Sequence, residues 1–187
     1  MEYDVQKTPK HDAMCLWLMK QIKILDVLPF ELEKQFKTVH TTGGGLYKNV
    51  DCELFKTKTL LESPLKSNSN HIGGYIDILV NCEYKPIDEN IAKKSVGRNG
   101  VSKIIEVKPY IKSVGDVVRQ INRYKEYSRM QGYNGERLNK HISYRNDEYY
   151  LFTFDKRFDK QIESQDITVL HPYPDVTIED MINEFNL

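Results

Sequence analysis

The segment SVGDVVRQINRYKEYSRMQG, residues 113–132, constrains the fold of this chain more than any other. Val114, Val117, Val118 and Ile121 recur at helical spacing, Ser113 with Asp116 resembles a capping box, and Gly132 supplies a stop. Just before it, SKIIEVKP reads as a short strand ended by Pro109; after a polar loop, EYYLFTFD reads as another strand. The strands and helices in this order predict a mixed α/β domain with helices packed on a central sheet.

The remaining elements fit that class. Thr8 as a cap and Pro9 in the first turn open an amphipathic helix over 9–25, with Met14, Trp17, Leu18 and Ile22 on one stripe. VLPFELEKQFKTV alternates Phe30, Leu32, Lys34 and Phe36 against Glu31, Glu33 and Gln35, as a strand does, with Pro29 near its start. TTGGGLYKN is a turn, CELFKTKTLL a candidate strand and ESPLKSNSN a loop. YIDILVNCEY is a strand, and a Lys-rich loop runs from Pro86 to Gly100. DITVLHPYP gives a last short strand and VTIEDMINEFNL a terminal helix. At 187 residues the chain is expected to be one domain, with a core over about 9–155 and a C-terminal strand and helix extension over 156–187. A chain of this size buries roughly two-thirds of its surface on folding, so neither disulfides nor metals are needed merely to fold.

Charge narrows the partners. Lys plus Arg is 27 and Asp plus Glu is 27, a formal net charge of zero, so any contact with a polyanion must come from local clustering. The three cysteines, Cys15, Cys52 and Cys82, are odd in number and far apart, which fits neither a disulfide framework nor a zinc site and points to a reducing cytoplasm. The N-terminus shows no signal-peptide pattern and the apolar runs are too short to span a bilayer, so no membrane partner is expected. TTGGGLYKN lacks the Lys-Ser/Thr ending of a phosphate-binding loop, so neither is a nucleotide cofactor.

Within GGYIDILVN, Asp77 stands among Ile76, Ile78, Leu79 and Val80. A buried ionised group is costly unless it is paired or binds a metal. In KIIEVKP, Glu106 and Lys108 are two residues apart on a strand and share a face, while Ile105 and Val107 point to the other. If Asp77's strand pairs with this one, two carboxylates and an ammonium converge. Two acids supply hard oxygen ligands for Mg²⁺ or Mn²⁺, and a neighbouring lysine can orient a water and offset transition-state charge, a set that suits phosphodiester hydrolysis. The sequence carries its own control in Glu83-Tyr84-Lys85. Glu83 and Asp77 lie about 20 Å apart along one strand at ~3.3 Å per residue, too far to share a metal.

Asp77 in GGYIDIL, then IIEVKP, then a helix carrying RQINRYKEY together resemble the PD-(D/E)XK nuclease superfamily, of restriction-endonuclease-like fold with αβββαβ order. The resemblance implies that Asp77 and Glu106 are metal ligands, that Lys108 is the motif lysine, and that the Val107 backbone carbonyl completes the metal shell. Gln120 and Tyr124, four apart and on one helical face, resemble the Gln-x-x-x-Tyr motif of the recombination-type exonuclease branch. Arg119 and Arg123 beside them, and Lys93 and Lys94 in the Lys-rich loop, are candidates for phosphate contact. Many members carry an early Glu on the first helix or the following strand. The helix here has none, which leaves Glu31 or Glu33, with Glu33 preferred; the Pro that often precedes the motif Asp is replaced by Ile76. Gly73 and Gly74 are candidates for close approach of a phosphate backbone.

Taken singly, Asp77 is a paired acid and Glu106 with Lys108 a surface ion pair; Gln120 and Tyr124 are a packing face, and Arg119 and Arg123 a solvated one. The five histidines show no metal-ligand spacing, and His11 at a helix start reads as a cap or packing residue. Taken together, the expectation is an Mg²⁺- or Mn²⁺-dependent deoxyribonuclease acting on DNA, a homodimer if it cuts both strands, cytoplasmic (of the host cell if viral). The alternative is an inactive module of the same fold that binds nucleic acid or assembles with a partner.

Overall fold

The computed structural model describes residues 8–24, 35–41, 47–66, 72–90, 98–131 and 142–187. Among the described residues, three helices of two turns or more and one short one pack on a six-stranded sheet. The elements are α1 (Pro9–Ile24), β1 (Gln35–Thr41), β2 (Tyr47–Lys66), β3 (Ile72–Pro86), β4 (Arg98–Lys108), α2 (Val114–Gln131), β5 (Ile142–Thr153), α3 (Asp159–Glu163), β6 (Thr168–Leu170) and α4 (Ile178–Phe185). Strands lie in chain order across the sheet. β1 to β4 pair antiparallel, and α2 and α3 serve as crossovers that set β5 and β6 parallel to β4.

Each sheet face is covered by helices. On one face α1 buries Met14, Trp17, Leu18 and Ile22 against Ile78, Val80, Ile105, Val107 and Phe152. Trp17 stacks on Phe152 at 6.0 Å between centroids and meets Tyr173 edge-on, which ties α1 to the C-terminal segment. α4 adds Ile178 and Met181 to the same core. On the other face α2 buries Val117, Ile121 and Tyr124 against Leu79, Ile104 and Leu151, joined by Ile162 and Ile167.

Local chemistry sets the boundaries. The His11 N–H reaches the Thr8 hydroxyl at 3.4 Å, so Thr8 caps α1. Ser113 Oγ accepts from the Asp116 N–H at 3.3 Å and opens α2. Thr177 and Asp180 form a full capping box on α4.

Several boundaries differ from the sequence reading. ESPLK is strand, not loop: β2 continues to Lys66, with Pro64 opposite Tyr75. β1 covers only Tyr47–Glu53 of β2, so Pro64 stands on a sheet edge where its missing N–H costs no ladder bond. β5 starts at Ile142, ahead of the expected EYYLFTFD, and β6 is three residues long. β4 begins at Arg98, inside the expected loop. Residues 27–34, and with them Glu31 and Glu33, lie outside the described residues, as do Lys93 and Lys94. Gly74 has φ +152° beside an irregularity in β2 pairing after Leu65, so glycine is needed there for backbone conformation.

Candidate metal and phosphodiester site

The sheet opens where the acids sit. β3 and β4 are paired as far as Ile78 with Ile105; beyond that point the ladder ends, one residue before Asp77 and Glu106. On Asp77's other side, the flanking pairs Leu61–Ile78 and Ser63–Ile76 place Glu62 opposite, in a left-handed conformation with φ 49°. A non-glycine residue there is strained, and such strain gathers at functional sites. Asp77 is therefore freed from sheet pairing on both sides. Its Oδ2 instead accepts from the Val107 N–H at 2.8 Å, across the gap.

Glu106 is wholly buried on the α2 face. Its Oε1 lies 2.5 Å from Lys108 Nζ in an ion pair, yet no donor is aligned on that oxygen as a hydrogen bond. Its Oε2 meets the Tyr124 hydroxyl. Gln120 Nε2 donates to the Tyr124 oxygen at 2.9 Å, and Tyr124 also lies 3.1 Å from the Tyr75 carbonyl. A phenol carries one proton, so it cannot serve Glu106 and Tyr75 at once. The phenol donates to Glu106, and the Tyr75 carbonyl stands beside it as the alternative acceptor.

Burial, and then the charge of Asp77, push Glu106 up to about 7. Burial would raise Asp77 too, but the His11 hydrogen bond and charge, the Val107 N–H and Lys108 outweigh it and hold Asp77 below its ordinary range. Burial works against the Lys108 charge, yet Glu106 foremost and Asp77 behind it keep the ammonium above the usual lysine range. Burial, with Glu106 and Asp77, holds Tyr124 well above the usual phenol range, so it stays neutral.

His11 completes the cluster, and sequence reasoning missed it. Its Nε2 lies 3.3 Å from Asp77 Oδ1, its Nδ1 3.2 Å from Asp12, and Cys15 Sγ 3.8 Å from Nε2. The resemblance called for an early acid on the first helix or the next strand; the group α1 delivers to Asp77 is an imidazole. Only its place in the first turn of a helix was visible locally. The contact joins residues 66 positions apart, which no spacing rule reaches.

The structure thus brings together Asp77, Glu106, Lys108, Gln120, Tyr124 and the Val107 backbone. Val107 enters by its N–H. Tyr124 is buried with its hydroxyl on Glu106, so it supports that carboxylate instead of offering a surface to nucleic acid. Gln120 acts on Tyr124. Arg119 and Arg123 remain on the exposed side of α2, and Arg119 pairs with Asp116. Glu83 is buried far along β3, opposite Gly100.

Hard oxygens from two converging acids, one of them buried without an aligned donor, fit Mg²⁺ or Mn²⁺, which keep several waters. Among the described residues no three His, Cys, Asp or Glu side chains gather closely enough to hold an ion by themselves. A second charged cluster lies on the α1 face. Lys103 reaches Glu148 at 2.5 Å and Tyr150 at 3.0 Å, closing its own hydrogen bonds. No helix of the described residues is long and apolar enough to cross a membrane. Compared with protein families, curated proteins and solved structures, the chain matches none.

Proposed function

We propose that the chain is a divalent-metal-dependent deoxyribonuclease of restriction-endonuclease-like fold. The observation that carries the reading is the meeting of Asp77 and Glu106 at the β3–β4 split, with Lys108 on Glu106. The order α1, β2, β3, β4, α2, β5 also supports it: three antiparallel strands, then a helix crossing to a parallel one.

Asp77 and Glu106 would hold Mg²⁺ or Mn²⁺, which when bound supplies Lewis-acid polarisation of the phosphoryl oxygen and a lowered pKa for water. His11 and the Val107 N–H fix the Asp77 carboxylate, and Tyr124, steadied by Gln120, fixes Glu106. Lys108 enters as an ammonium, so it orients the attacking water and offsets charge on the phosphate; a general-base role is disfavoured by its raised pKa. The products are a 5′-phosphate and a 3′-hydroxyl.

Cleavage of linear, nicked, single-stranded and branched DNA, and of RNA, with and without Mg²⁺ tests this. Lys108→Ala is expected to lose about 10²-fold or more in rate. Mn²⁺ calorimetry is expected to show binding in the native chain and none in Asp77→Asn. Binding unchanged in that variant would favour the inactive module.

A further inference from the structure

The site has a neighbour that the reading above does not use. A groove of about 240 Å³ is lined by Pro109, Tyr110, Phe154, Val176, Ile178 and the rim residue Glu179. Pro109 follows Lys108 directly and stands about 10 Å from Glu106 along the strand, at ~3.3 Å per residue. The groove therefore opens at the same end of β4 and β5 as the acids.

Its lining is an aromatic and aliphatic slot. Tyr110 is 58% exposed, with Lys10 Nζ 5.5 Å from its ring centroid. Tyr75, two residues before Asp77, is 50% exposed. One exposed tyrosine is ordinary. Tyr110 stands out because it also lines the groove, two residues after Lys108.

The charges sort the occupant. Lys10 on α1, beside Tyr110, and the exposed Lys112 on the β4–α2 link offer phosphate partners. The groove has apolar walls, the Thr177 hydroxyl and, at its rim, one carboxylate, Glu179, a lining that disfavours a phosphate and suits a base: a flat face for Tyr110 and an amino edge for the acid. Bases stacked inside a duplex cannot enter such a slot.

We infer that this groove binds an unstacked nucleobase, and that the substrate strand is single-stranded DNA or a frayed end. The inference rests on the nuclease reading only for what happens to the strand once it is held.

The test is fluorescence anisotropy with a short labelled oligodeoxycytidylate in EDTA, beside an abasic strand of equal length and a duplex. Tyr110→Ala is expected to weaken single-strand binding about 5- to 100-fold, as loss of one stacked base does. Tyr110→Phe should bind as the native chain does, and the native chain should bind the abasic strand about as poorly as Tyr110→Ala binds the oligodeoxycytidylate. Unchanged affinity in Tyr110→Ala, or an equal loss on abasic and duplex DNA, overturns the inference. Mg²⁺-dependent cleavage is scored separately. Tyr110-dependent binding without any cleavage upholds the slot and removes the nuclease reading; cleavage with Tyr110-independent binding does the reverse.

Discussion

At the scale of single residues, Glu106 sets the terms. Its carboxyl is raised from an ordinary 4.5 to about 7, so between those values the folded chain holds a proton that the unfolded chain has lost. Its contribution to stability is therefore complete below 4.5 and is lost as pH rises through 7. Asp77, lowered below 3.8, weakens the fold only under more acid conditions, outside that window. Glu106→Gln keeps the uncharged shape. In the metal-free protein it is expected to raise Tm by a few degrees above pH 7 and by little near pH 5, while abolishing Mn²⁺ binding. Thermal melts of both proteins across pH check this, and a pH-independent difference would sink it.

Among elements, α2 and β4 act as a pair because Tyr124 reaches Glu106 from the facing helix. That bond is among the influences that lower Glu106 from where burial would leave it. Tyr124→Phe leaves the Glu106 oxygen and the Gln120 amide without their partner, at a cost of roughly 1–3 kcal/mol. The Glu106 pKa should rise, so the pH–rate profile of cleavage is expected to shift to alkaline pH; an unmoved profile would show Tyr124 to be mere packing. Much of this pair was legible in the sequence. Spacing of two put Glu106 and Lys108 on one strand face, and spacing of four put Gln120 and Tyr124 on one helix face. Such rules work within an element and say nothing of what lies across from it. The inward aim of Tyr124 and the arrival of His11 at Asp77 depend on packing between distant segments. ESPLK misled for another reason: Ser and Pro mark loops by average, and only the edge position of Pro64 excuses it.

At the scale of the whole molecule, the C-terminal extension belongs to both cores. Residues 156–187 contribute five buried apolar side chains, Ile162, Ile167, Leu170, Ile178 and Met181. At about 1.5–3 kcal/mol each, their burial is of order 10 kcal/mol, as large as the net stability of a typical domain. A chain ending at Asp155 is expected to lose its cooperative melt, followed by circular dichroism and by the emission of Trp17, which would lose its Tyr173 neighbour. A sharp transition near the native Tm would show that residues 9–155 suffice.

The Lys108–Glu106 pair has one further consequence. While that contact stands, the ammonium serves as an internal counter-ion. On the proposed metal reading, loading the site would be an exchange, in which an incoming cation takes over from the lysine as the partner of Glu106. On the nuclease reading, Lys108 would be released to the substrate by the same event that charges the site, and a copy without its cation would grip DNA at this point only weakly.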